Sequence, residues 1–120
     1  MIFTDMNPVD RELLYACAKL LGYEIIGYHP KTGLRVWNED HTHGFKWNPL
    51  YDDGDAFRLA VKCHFEIKVE NYMTRVFPQW EEEALAVVEF KSCGGDELAT
   101  TRRAIVIAAA ELSQKDVQGE

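Results

Sequence analysis

The chain has 120 residues, of which 47% are hydrophobic and 28% charged, and a formal net charge of -7, the profile of one soluble globular domain with a core of moderate size. That acidic balance, with no cluster of four or more Lys or Arg, excludes direct nucleic-acid binding. No apolar run approaches the roughly 20 residues that span a bilayer, so no membrane association is expected.

The N-terminal "MIFTDMNPVDRE" lacks the basic-then-apolar order of a secretion signal. The three cysteines, Cys17, Cys63 and Cys93, are an odd number without close pairing, which implies reduced thiols rather than a disulfide framework or a zinc ribbon. The expected location is the cytoplasm.

In chain order, Asn7 is a capping residue, Pro8 suits a first helical position, and Asp10 and Glu12 sit in the positive first turn. Leu13, Cys17, Leu20 and Leu21 then recur at helical spacing, and Gly22 terminates. "YEIIGYHPKTGLRVWN" reads as a hairpin turning through Pro30 and Gly33. Residues 39–52, with His41, His43, Gly44 and Pro49, read as an irregular loop, the longest in the chain and the expected seat of function.

A second helix is predicted over 53–64, burying Ala56, Leu59, Ala60 and Cys63, with Phe57 and Val61 widening that face. "FEIKVE" alternates without a fault and reads as a strand with one wet face. "YMTRVF" is the next strand, and "ALAVVEFK", apolar on both faces, a central, doubly covered one. Asp96 caps a last helix with Leu98, Ile105, Ala108, Ala109 and Leu112 as its inner stripe, fraying after Ser113. The fold class is therefore α+β, a mainly antiparallel sheet layered with helices in the order α-β-β-α-β-β-β-α.

Two segments, "WNPLYDDGDAFRLAVK" and "ATTRRAIVIAAAEL", together with a first helix ending near Leu21-Gly22, resemble the phage ABA-sandwich domain family. The resemblance covers most of the chain and is most specific at Trp-Asn-Pro-Leu and Asp-Asp-Gly-Asp. It implies a phage or prophage origin and a sheet layered between helices. It carries over no catalytic residues, because that family has no agreed biochemical activity. The adjacent Thr100 and Thr101, and the large apolar Ile107, depart from its pattern.

The acids Asp52, Asp53 and Asp55 have one structural reading, in which Asp52 or Asp53 caps the second helix and the others complement its dipole. A cap needs one or two acids, so the third is left for a ligand's hydroxyls or a hard cation. A calcium loop is excluded, since the twelfth position counted from Asp52 is Cys63 rather than Glu. His41 and His43 are a weak metal pair without a third ligand at a known spacing. "HFE" starts a deaminase signature that has no later Pro-Cys-x-x-Cys, and Cys93 lacks the arginine six residues on that a phosphatase loop needs.

No nucleophile elbow, P-loop or dinucleotide fingerprint occurs, and no cofactor is expected. Trp37, Trp47, Tyr51 and Trp80 offer flat rings for stacking, and Arg58, Arg102 and Arg103 offer anion contacts. The candidate ligand-binding set is Trp47, Asn48, Tyr51, Asp52, Asp53, Asp55, Arg58, Arg102 and Arg103. The functional expectation is a phage accessory protein that binds rather than catalyses, sequestering a small nucleotide-like signal of host defence or blocking a host protein, and working as a homo-oligomer. The alternative is a metal-dependent hydrolase built on His41, His43, Asp52, Asp53 and Asp55.

Overall fold

The computed structural model describes residues 8–38 and 40–118, with side chains to Lys115. The first helix, α1, runs Pro8–Leu20 and buries Leu14, Cys17 and Ala18; Leu13 and Leu20 only flank the core. Its inward face is thus turned slightly from the expected stripe. Gly22, at φ +79°, ends it as read from the sequence, and the proposed cap Asn7 lies outside the described residues.

The hairpin forms from β1 (Glu24–His29) and β2 (Gly33–Trp37), with a bulge between Ile25 and Gly27. A third strand, β3 (Gly44–Trp47), pairs antiparallel with β2 inside the segment read as an irregular loop, which corrects the expected order to α-β-β-β-α-β-β-β-α. It is only four residues long, and its alternation rests on two side chains, Phe45 and Trp47, pointing inward opposite Val36 and Leu34.

The second helix, α2, spans Asp53–Cys63 and buries Ala56, Leu59 and Ala60 as expected. Phe57 and Val61 do not widen that face: they are 69% and 55% exposed. Helix rotation of about 100° per residue carries them off the side that meets the core.

A second meander follows, β4 (Glu66–Val69), β5 (Met73–Phe77) and β6 (Ala86–Glu89), all antiparallel in the order β4-β5-β6. The middle strand is β5, with Thr74, Val76 and Phe77 buried, and not β6. β6 buries Ala86 and Val88 on one side only and leaves Val87 to solvent. A 3-10 turn over Phe90–Cys93 leads to the third helix, α3 (Glu97–Gln118), which continues past Ser113 instead of fraying there.

α3 packs against α1, α2, β5, β6 and the 3-10 turn, so it is buried nearly all round. Ile105, Ala108 and Ala109 lie inside as read from the spacing, whereas Leu98, in the first turn, is 63% exposed. Its alanines let neighbours approach closely: the Cys17 thiol of α1 donates to the Val106 carbonyl at 3.3 Å. The two threonines have structural partners, Thr100 hydroxyl donating to Asp96 carbonyl at 2.7 Å and Thr101 sharing a hydrogen bond with buried Thr74 at 2.9 Å.

One glycine is required by packing. Gly33 has φ +93°, and a Cβ there falls 2.7 Å from Asn48 Nδ2, so the hairpin turn rests directly on the segment before α2. Gly33→Ala is expected to lower stability by about 2 kcal/mol through left-handed strain and that clash. Gly27→Ala, with nothing within 4 Å of its Cβ, stays within about 0.5 kcal/mol of the parent. Urea denaturation of the two variants checks the contrast.

Candidate functional site

The acids at the start of α2 each have a partner. Asp52 is the N-cap, its carboxylate accepting the Asp55 N–H at 2.8 Å. Asp55 is buried, and its carboxylate accepts the Asn48 N–H at 2.8 Å and the Arg58 guanidinium at 3.1 Å. Asp53, which is exposed, pairs with Arg102 at 2.7 Å. No acid of the three is spare, in contrast to the sequence reading.

The arginines are equally engaged. Arg102 reaches from α3 to donate to the Leu50 carbonyl at 2.9 Å as well as to Asp53, and its side chain is only 16% exposed. Arg103 stands 3.0 Å from Asp10 of α1. Arg58, Arg102 and Arg103 therefore do not converge on a common pocket; they tie α2, α3 and α1 to acids already in the fold.

Trp47 is 3% exposed, with its ring edge-on to Tyr23 at 5.6 Å, so it packs the core and offers no stacking platform. Asn48 is buried, its side-chain oxygen accepting the Leu50 N–H at 3.2 Å. Tyr51 alone of this group presents its ring, at 68% exposure. Trp37 is half-buried with the His41 ring 5.9 Å away, and Trp80, with φ +66°, is 92% exposed.

The loop histidines and the acids before α2 do not assemble. His41 pairs with Glu24 at 3.0 Å, and His43 lies 3.4 Å from Asn38 and 3.3 Å from Thr42. Among the described residues no group of three or more His, Cys, Asp or Glu side chains is placed to hold a metal ion. Burial, with a smaller contribution from neighbouring Cys63, pushes the Cys17 thiol far above its ordinary range, so this cysteine is an inert core residue.

A basic face that sequence reasoning missed lies on the outside of the first sheet. Leu34 and Val36 of β2 and Trp47 of β3 point into the core, so Arg35 and Lys46 point out, directly opposite each other. Because Asn38 N–H donates to His43 C=O in the same register, alternation makes Arg35 and Lys46 a non-hydrogen-bonded pair, the type whose side chains lie closest. Gly27 faces Arg35 across β1, leaving room beside the guanidinium.

Among the described residues no carboxylate lies within ion-pair distance of Lys31, Arg35 or Lys46. Two shallow depressions of about 370 and 400 Å³ flank this face and share Thr32 and Lys46. One reaches Gly27, His29 and Arg35; the other reaches Lys31, Asn48, Tyr51, Asp52 and Asp55. Part of the sequence-derived set, Trp47, Asn48, Tyr51, Asp52 and Asp55, thus borders the basic face. The missing signal was β3 itself: without it, Lys46 had no register against Arg35.

Compared with protein-family models, with curated proteins and with solved structures, the chain matches none.

The structural roles of the acids predict an order of cost in urea denaturation. Arg102→Ala, which removes charged hydrogen bonds from a mostly buried guanidinium, is expected to lose about 2 kcal/mol. Asp52→Ala loses about 1 kcal/mol of capping, and Asp53→Ala, an exposed ion-pair partner, less than about 1 kcal/mol.

Proposed function

We propose that the chain is a binding protein for a small anionic, nucleotide-like molecule, held on the outer face of the first sheet. The observation that carries this reading is the Arg35 and Lys46 pair, two cations side by side with no carboxylate between them among the described residues, in a chain of net charge -7. Like charges directly opposite each other destabilise a sheet, and an anion bridging them removes that repulsion. Lys31 adds a third cation at the rim.

The neighbouring wall supplies what a nucleotide presents besides phosphate. The exposed Tyr51 ring suits a base, and the outer oxygen of Asp52, whose Oδ2 is held by the cap, suits sugar hydroxyls. Both depressions fall within the size range of small-ligand sites, roughly 300 to 1,000 Å³. The cations of the site are thus Lys31, Arg35 and Lys46, in place of the helix arginines named from the sequence.

The resemblance to the phage ABA-sandwich family supports a phage setting, in which such a protein acts in the host cytoplasm by withdrawing a nucleotide signal of host defence. Among the described residues no helix is long and apolar enough to cross a membrane. A second reading, blockade of a host protein, is favoured by Trp80, whose ring is 92% exposed in a polar loop, since exposed tryptophans serve as interface anchors.

A thermal-shift screen with nucleotides, cyclic dinucleotides and nucleotide sugars tests the proposal. A ligand present at about 100 times its Kd stabilises the folded chain by about 2.7 kcal/mol. The Arg35→Ala/Lys46→Ala variant is expected to lose that shift while its ligand-free melting temperature stays equal or rises. A shift that survives in this variant contradicts the site; no shift with any anion moves the reading to a protein partner.

A further inference from the structure

The free edge of the second sheet is complementary to itself. Among the described residues β4 has a neighbour on one side only, β5, and its register is Glu66↔Phe77, Ile67↔Val76, Lys68↔Arg75 and Val69↔Thr74. Glu70 N–H donates to Met73 C=O at 2.8 Å in that register, so by alternation Glu66 and Lys68 bond to β5. The N–H and C=O groups of Ile67 and Val69 therefore point to the open side.

The other sheet edges are guarded. β1 carries the bulge between Ile25 and Gly27, β3 opens on Gly44, and β6 runs straight into the 3-10 turn. β4 has no bulge, glycine or proline, and Val69 on it is 55% exposed although it lies on the side of the sheet that includes buried Thr74 and Val76. A regular, open, partly apolar edge is a template for another strand.

We propose that two copies of the chain join along β4, antiparallel about a two-fold axis at Ile67, so that the second sheet continues from one protomer into its partner. In this register Ile67 meets its own symmetry mate through a reciprocal pair of backbone hydrogen bonds. Glu66 of each protomer faces Lys68 of the other at non-hydrogen-bonded positions, where opposed side chains are closest. Val69 faces Phe65 of the other copy, which covers the exposed valine. The Phe65 N–H is already given to Ala60 C=O at 3.1 Å, so its carbonyl alone serves that contact.

Charge selects this register. Moving the axis to Lys68 sets Lys68 against itself and Glu66 against Glu70. Moving it to Val69 sets Lys68 against Glu70, whose carboxylate is already held by Arg75 in two hydrogen bonds of 2.8 Å. Odd shifts put apolar side chains on the wet face. Such a two-fold contact is isologous, consistent with a closed dimer.

Sedimentation velocity across a concentration series, with circular-dichroism melts as a folding control, tests the interface. The parent chain is expected to dimerise, and Lys68→Glu or Glu66→Lys alone to raise the dimer Kd at least ~10-fold by setting like charges opposite. The double variant Glu66→Lys/Lys68→Glu restores the match and the dimer. Amide exchange at Ile67 and Val69 in the parent chain, faster on dilution, gives a readout independent of the variants. A parent chain that stays monomeric, or a dimer indifferent to either single reversal or not recovered by the double one, overturns the proposal.

Discussion

One side chain of the last helix holds the turn that leads into α2. Arg102, on the helix that packs against α1, α2, β5 and β6, donates to the Leu50 carbonyl at 2.9 Å and to Asp53 at 2.7 Å. Those contacts hold the turn between β3 and α2 against α3. The same turn is tied to α2 by Asp55, which accepts the Asn48 N–H, and to the first hairpin by Gly33, which leaves no room for a Cβ over Asn48. Removing Arg102 exposes a carbonyl that nothing else in the described chain satisfies, and both ends of the turn lose their anchor.

This constraint decides the meaning of the acids. Read as sequence, Asp52, Asp53 and Asp55 include one more carboxylate than a helix start needs. In the structure one caps, one bridges and one is buried under the turn, so the local excess is absorbed by partners 7 to 49 residues away. The candidate anion contacts shift accordingly, from helix arginines that are already paired to sheet cations without a carboxylate partner among the described residues.

The fold class, the helix starts and the ends of α1 and α2 were legible because capping chemistry and glycine terminators act within a few residues. Thus Pro8, Gly22, Asp52 and Asp96 mark real ends, and Asp96 accepts the Ala99 N–H at 3.0 Å. β3 was not legible, because "GFKW" offers two apolar positions between a glycine and a proline turn. The rank of strands failed for a related reason: Val87 suggests a covered β6, but which strand is central depends on the order of pairing, not on composition. The basic face needed that pairing too, since Arg35 and Lys46 become neighbours only when β3 is placed. The self-matching of "FEIKVE", by contrast, stands in the sequence, and only the open side of β4 makes it meaningful. The proposed pairing along β4 involves none of the residues of the basic face, so the two proposals are tested independently.

The central claim, that the acidic turn is a clamp while the neighbouring sheet face takes the anion, is tested most directly by amide chemical-shift mapping with inorganic pyrophosphate as the probe. Shifts are expected to concentrate at Lys31, Thr32, Arg35 and Lys46, with small changes at Tyr51 and none beyond noise at Arg102 and Arg103. Shifts centred on Arg58, Arg102 and Arg103, or a spectrum indifferent to pyrophosphate, would contradict it.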